Sequence, residues 1–324
     1  MMPLTFYRFL FLFVTFSLIS SALSAKDFPN KPINLVVPFA PGGGTDSIAR
    51  DLAKNLTEQL GQTVIVDNRA GGGGAIGAQM VAKAEPDGHT LLFVTSTFIT
   101  HAATENTLSY DVIKDFTPIA MIGRGPLMVV ANSELGLSSI QDLVKYTKAN
   151  PNGVNFCSAG QGSINHLAGE LFKQKTNLEM THVPYKGSGP ATLDLLAGRV
   201  QVFFATMPTM LQYVKSNKVT LLAMTSDKRS SLFPQVPTVA ESGVPGFNIT
   251  TWWGVVAPAK LPPEILKKLN QEIRIASAKE PLKTRLVNEG ATPFQTEPEE
   301  MQNLLEKELR MWQDLVKTAK IKVD

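Results

Sequence analysis

The 324-residue chain has a single cysteine, Cys157. It can form no intramolecular disulfide, and zinc sites built from two or four cysteines are excluded. The four histidines, His89, His101, His166 and His182, fall in neither H-x-x-x-H nor H-E-x-x-H spacing, so a metalloprotease-like centre has no support. An excess of one charge is missing too. The net charge is +3 and the basic residues are scattered, which leaves no electrostatic footprint for nucleic acid. No G-x-S-x-G elbow occurs, and GQGSI misses its spacing. Beyond residue 25 no apolar run approaches the roughly 20 residues that a membrane-spanning helix needs.

The one long apolar run lies at the start. Arg8 precedes residues 9–19, which are apolar except for Thr15 and Ser17, and the small residues Ser21, Ala22, Ser24 and Ala25 follow. This is the layout of a cleaved signal peptide over residues 1–25, with cleavage expected after Ser24 or Ala25. The run is too short for an anchor, and no cysteine stands near the cleavage point for lipid attachment. A disulfide-free exported protein of about 300 residues suits a bacterial periplasm.

Short β-branched runs alternate with helical patterns, which indicates an α/β fold with largely parallel sheets. Residues 33–39, 63–68 and 89–95 read as strands. A helix over 46–60 puts Ile48, Leu52, Leu56 and Leu60 on one face and stops at Gly61, and another covers 75–84. From about residue 126 the pattern restarts, with strands at 126–132, 154–159, 180–185 and 200–206 and helices at 138–149, 163–175 and 189–199. Strands at 219–226 and 249–258 and two helical patterns, the last over 298–319, complete the chain. No low-complexity linker separates the halves, so strands themselves are expected to cross between two lobes, near residues 123–125 and 225–227. Residues 26–124 with 226–324 would form lobe 1, and residues 125–225 lobe 2.

Two glycine-rich loops follow the first two strands. In VVPFAPGGGTDSIAR, Gly42, Gly43 and Gly44 lead into Thr45-Asp46 rather than the Lys-Ser/Thr of a nucleotide-binding loop, and a carboxylate there repels phosphate. In VDNRAGGGGAIGA, Gly72, Gly74 and Gly77 match G-x-G-x-x-G. Yet the next strand ends in Thr95-Ser96-Thr97-Phe98, without the acidic residue that holds a ribose. Both loops offer backbone N–H groups at a helix start, which favour an anion; they equally suit tight strand-to-helix turns. Side by side at the carboxyl edge of one sheet, and lacking Lys and Arg, they fit a carboxylate better than a polyphosphate. The second half carries CSAGQGSINH and VPYKGSGPA in matching places, so loops of two lobes would face each other across a cleft.

Cys157 and His166 are the one nucleophile–base pair to weigh. A cysteine ending an apolar strand is ordinarily buried filler, and His166, early in a helix, is placed to bond locally. Trp252 and Trp253 are strand neighbours and point opposite ways, one into the core and the other outward or towards the cleft.

Taken together, PINLVVPFAPGGGTDSIAR, VIVDNRAGGGGAIGAQMVAKAEPDGHTLLF, GSINHLAGELFKQKT, VPYKGSGPATLDLLAGRVQVFFA and FPQVPTVAESGVPGF resemble the extracytoplasmic receptors of tripartite tricarboxylate transporters, the Bug receptors. The resemblance spans essentially the whole mature chain. It implies a two-lobed, type II-like periplasmic binding protein with hinge strands crossing between the lobes. It also implies capture of a small carboxylate (a di- or tricarboxylate, an acidic amino acid or an aromatic acid), with no chemistry on it. One carboxyl group would be held in lobe 1 by Phe39, Pro41, Gly43, Gly44, Thr45 and Asp46 with Gly73, Gly74 and Ala75; Thr95 and Ser96 at the next strand end join them as candidates. The far end of the solute would meet lobe 2 at Ser158, Gly160, Ser163 and His166, at Tyr185, Lys186 and Gly187, and at Ala205. No catalytic residue, metal or cofactor is expected. The expected partners are a small organic acid and the permease subunits of such a transporter, with no nucleic acid, and the protein is expected to be a monomer. The alternatives are an exported enzyme using the same cleft, or a receptor that feeds a membrane sensor.

Overall fold

The computed structural model describes residues 28–105, 107–288 and 290–318; the signal peptide expected over 1–25 lies outside them. Strand β1 (Ile33–Val37) pairs in parallel with β2 (Val64–Asn68) and β3 (Thr90–Thr95). Helix α1 (Gly44–Leu60) buries Ile48, Leu52 and Leu56 at four-residue spacing. It ends where Gly61 turns to φ 66° and donates its N–H to Thr57 O, a left-handed cap that glycine adopts without Cβ strain. A short 3₁₀ turn (Gly72–Gly74) leads into α2 (Ala75–Ala82).

Two helices depart from the sequence expectation by starting directly off strand ends. These are α3 (Ser96–Thr104), capped by the Thr95 side chain, and α7 (Met207–Lys215), which carries Pro208 in its first turn. Between them lie α4 (Ile140–Ala149), β5 (Asn155–Ser158), α5 (Ile164–Thr176), β6 (Thr181–Pro184), α6 (Ser188–Leu196) and β7 (Val202–Thr206). In this second lobe β7, β5 and β6 run parallel.

The lobes are joined by hinge strands. β4 is one strand of 17 residues, Phe116–Asn132. Its first part pairs antiparallel with β9 (Thr250–Pro258) as far as Pro126, and from Leu127 onwards it pairs with β7 and β8 (Val219–Met224). Thr225, fully buried, fastens the crossing: its hydroxyl donates to Ile249 O (2.7 Å) and accepts from Leu127 N (2.8 Å).

The chain finishes with three helices rather than two: α8 (Pro263–Ala278), the short α9 (Leu282–Asn288), and α10 (Pro298–Thr318), with the two-residue strand β10 (Thr292–Pro293) on β4. α8 packs on α1, and α10 packs on α3 and β4 through Met301, Leu305 and Trp312, so the C-terminal segment completes the first lobe. Among the described residues no helix is long and apolar enough to cross a membrane.

Candidate functional site

A cavity lies between the lobes. Its walls are the first turns of five helices. Thr45 and Asp46 belong to the start of α1, Thr97 to α3, Ile164 and Asn165 to α5, and Ser188 to α6, while Thr206 precedes α7. The first N–H groups of a helix have no intrahelical acceptor. Each helix start also carries the equivalent of about half a positive charge. The chain reaches this arrangement because strands β1, β3, β5, β6 and β7 all end at the cleft and hand over to helices there.

Asp46 is the one charged residue lining the cavity. Its carboxylate accepts from Gly42 N (3.1 Å), Arg50 Nε (2.9 Å) and Asn68 Nδ2 (2.9 Å). Burial alone would raise its pKa, but the bonds from Arg50, Asn68 and Gly42 outweigh that and hold it below the ordinary carboxylate value. Its charge is therefore committed to fixing the loop before α1.

Of the residues singled out from sequence, Phe39, Gly43, Thr45, Asp46 and Thr95 line this cavity. Gly73 and Gly74 line a neighbouring one with His101 and Tyr110, and Ala75 opens α2. Ser96 is buried and accepts from Trp252 N on the hinge strand (3.0 Å). Ser163 caps α5. Ala205 is packed in the core of the second lobe. Tyr185 donates its hydroxyl to Asp194 (2.7 Å), and it lines an outer groove with Gly160 and the exposed Lys186. Cys157 is fully buried and burial pushes its thiol pKa up.

Ser158 and His166 support the loop between β5 and α5. Ser158 Oγ lies 2.6 Å from His182 Nε2 and accepts from Gly160 N (3.1 Å), while Gly162 N donates to His166 Nδ1 (3.2 Å). The two imidazoles stack at 3.7 Å. Burial lowers the pKa of His166 to about 4, and burial together with His166 lowers that of His182 to about 3. Both rings are thus neutral braces at physiological pH.

Several glycines bring the lobes together. Gly44 N donates to Thr209 Oγ1 (3.1 Å) and Ala40 N to Lys186 O (2.8 Å) across the cleft. A methyl group on Gly44 would lie 2.7 Å from Pro208 Cβ and 2.9 Å from Thr209 N. One on Gly189 would lie 2.8 Å from Pro41 O, and one on Gly187 3.0 Å from Ala40 N. One on Gly160 would come within 3.1 Å of Gly73 Cα. The loops meet backbone to backbone.

Thr97, Asn165 and Thr251 line the cavity and were not among the sequence candidates. Thr97 and Asn165 could have been found from the caps at Thr95 and Ser163, since whatever follows a cap points its amides the same way. On β9 the alternation puts Thr251 and Trp253 on the cavity face, while Trp252 enters the core and donates Nε1–H to Glu308 (2.7 Å).

The model of the tripartite tricarboxylate transporter family receptors (TctC) matches residues 48–321. The chain belongs to this family. Protein BugT of Bordetella pertussis is 38% identical over 314 residues, covering 96% of each chain. Among solved structures, Rpa4515 of R. palustris with adipate is 37% identical with a TM-score of 0.87, covering 91% of this chain and 99% of that one. MatC of Rhodopseudomonas palustris with bound malate is 31% identical with a TM-score of 0.85, covering 89% and 100%. The periplasmic binding protein BugD is 33% identical with a TM-score of 0.88, covering 91% and 99%, and this chain shares its fold.

Proposed function

We propose that this receptor works in the periplasm. It captures a small carboxylate in the cavity between its lobes and delivers it to the membrane subunits of a tripartite tricarboxylate-type transporter. The observation that carries the reading is the meeting of five helix N-termini on a cavity lined by no Lys or Arg. Five half-charges sum to about +2.5, whereas Asp46 is offset by Arg50 at 2.9 Å. The balance favours an anion, and amide donors suit a carboxylate that must also be released. Relatives holding adipate and malate bind ligands of this chemistry.

The lobe boundaries near residues 124 and 225, and hinge closure by bending there, belong to the same proposal. An enzymatic role finds no support in the pair weighed from sequence. Cys157 is buried away from the cavity, and His166 already accepts from Gly162 N.

The test is a thermal-shift and calorimetric screen of adipate, malate, succinate and benzoate against uncharged amides of similar size. A bound acid at a hundredfold excess over its Kd should add about 2.7 kcal/mol of stability. Stabilisation by none of the acids, or equal stabilisation by their amides, refutes the reading.

A further inference from the structure

Of the four histidines, His101 is the one that lies between the lobes. His166 and His182 stack on each other inside the second lobe, and His89 packs edge-on against Phe28 inside the first. His101 belongs to α3, where Thr97, Thr100, His101 and Thr104 fall three or four residues apart and share one face. The loop before α5, from the other lobe, lies on that face. Thr100 Oγ1 donates to Gly162 O (2.8 Å), and Ile164 N donates to Thr97 Oγ1 (3.3 Å). Beside these bonds the His101 ring meets backbone. A methyl group on Gly162 would lie 2.7 Å from His101 Cδ2, and one on Gly73 would lie 2.5 Å from Cδ2 and 2.8 Å from Nε2. His101 Nδ1 is buried and has no hydrogen-bond partner among the described residues.

An imidazolium carries two N–H donors, and a buried charge without an acceptor is costly. The titratable groups around the ring do not offset that cost. Glu105, one turn on along α3, favours the proton through space, but its carboxylate accepts from Thr107 N and Oγ1 (3.0 and 2.6 Å). Tyr110 lines the same small cavity and stays a phenol, because burial raises its pKa. Behind Gly162, His166 is neutral above about pH 4, and Glu170 is paired with Lys173 (2.8 Å). Glu308 of α10 is bonded to Trp252 within the first lobe, so parting of the lobes leaves it unchanged. Burial outweighs Glu105 and holds the His101 pKa below the ordinary 6.5.

We propose that His101 couples closure to a proton: as the lobes close on Gly162, an open-state imidazolium gives its proton to solvent, so solute capture weakens as the medium turns acid. The inference rests on the reading of the protein as a carboxylate receptor that closes at its hinge. With the lobes parted, Gly162 leaves the ring, water reaches it, and the ordinary value of about 6.5 applies. Closure then favours the neutral ring. Its contribution is complete above about pH 7.5 and is lost progressively as pH falls below about 6.5.

The test is calorimetry of the tightest binder among adipate, malate, succinate and benzoate, at pH 6 and pH 8, in two buffers of different ionisation enthalpy. The parent should bind about fourfold more weakly at pH 6 than at pH 8, and release more than about half a proton per solute at pH 6. His101→Gln keeps a polar side chain that cannot take a proton. It should bind within about threefold of the parent at pH 8 yet lose most of both effects, retaining only what the solute itself contributes. A packing role alone would weaken binding equally at both pH values and leave the proton release unmoved. Should His101→Gln fail to fold, the imidazole proton resonances of the parent decide the same point: one of four should titrate near pH 6.5 without solute and at lower pH with it. Binding by the parent that ignores pH, equal pH dependence in parent and variant, or four resonances that titrate alike with and without solute overturns the coupling. Binding of no acid at either pH is a different outcome, which overturns the receptor reading and the coupling with it.

Discussion

Gly44→Ala separates closure of the cleft from stability of the fold. Gly44 opens α1 and has an ordinary backbone conformation, so alanine meets no strain within its own lobe. In a helix alanine is better than glycine by up to about 1 kcal/mol, a gain present whether the cleft is open or closed. The added methyl, however, would lie 2.7 Å from Pro208 Cβ and 2.9 Å from both Thr209 N and Thr209 Oγ1 on the opposite lobe. Carbon atoms rest at about 3.5–4.0 Å, so the lobes must part there by about 1 Å, and the Gly44 N to Thr209 Oγ1 bond is stretched with them. Overpacking of this kind costs about 1–3 kcal/mol. On the proposed hinge closure this cost falls on the closed state alone, and it should appear as a Kd about 5–150 times weaker. Calorimetric titration of a bound organic acid measures the affinity, and a melting curve without ligand measures the fold. The unliganded variant should melt at or slightly above the parent temperature while binding is lost. Unchanged affinity, or a variant that melts several degrees lower without ligand, would refute the reasoning.

Three other outcomes follow from groups described above. Glu308 is half-buried beside Trp252, and desolvation there raises its pKa to about 7. An acid whose pKa is raised in the folded state favours folding below its unfolded value near 4.5 and loses that contribution as pH rises through 7. Glu308→Gln should therefore stabilise the protein by about 1–3 kcal/mol at pH 8 and by nothing at pH 4 in urea unfolding. The lowered pKa values of His166 and His182 act in the opposite sense. Their unfolded imidazoles take up protons below about 6.5 while the folded ones wait until about 4 or 3. The parent protein should consequently lose more stability than His182→Asn between pH 6.5 and 4, and parallel urea curves would count against the neutral brace. Thr225→Val leaves Leu127 N and Ile249 O without their side-chain partner, and should lower unfolding free energy by about 1–3 kcal/mol in denaturant titrations.

Much of the first lobe was legible because its signals are local. The fourfold spacing of Ile48, Leu52 and Leu56 and the stop at Gly61 describe α1 without reference to anything distant. Strand β4 was only half legible. Its second half, 126–132, reads as an apolar run, but residues 116–125 contain Pro118, Gly123 and Gly125, and the ladder there shifts register at Pro118/Ala120 and Met121/Gly123. Helices α3 and α7 were missed because each begins on the residue after a strand, so no turn composition announces them. The cavity floor at Thr251 and Trp253 follows from alternation only once the cleft side of β9 is known. The glycine loops were visible as strand-to-helix turns. Their backbone contact across the cleft was not, because it depends on how the two lobes meet rather than on any pattern within one of them.

The long strand β4 and its partner β9 also set the order in which the molecule can be finished. β3 has β9 beside it in the sheet, although the two are separated by nearly half the chain. α8 and α10, which cover the same lobe, come later still. A chain emerging from its N-terminus therefore begins one lobe, builds the other in full, and returns to close the first at the end. Until residue 258 is available, the edge of β3 has no permanent neighbour and the first sheet stays unlocked. Non-local pairing of this kind is slow. The lobe that starts first is completed last, so the nascent chain stays unfinished for most of its synthesis.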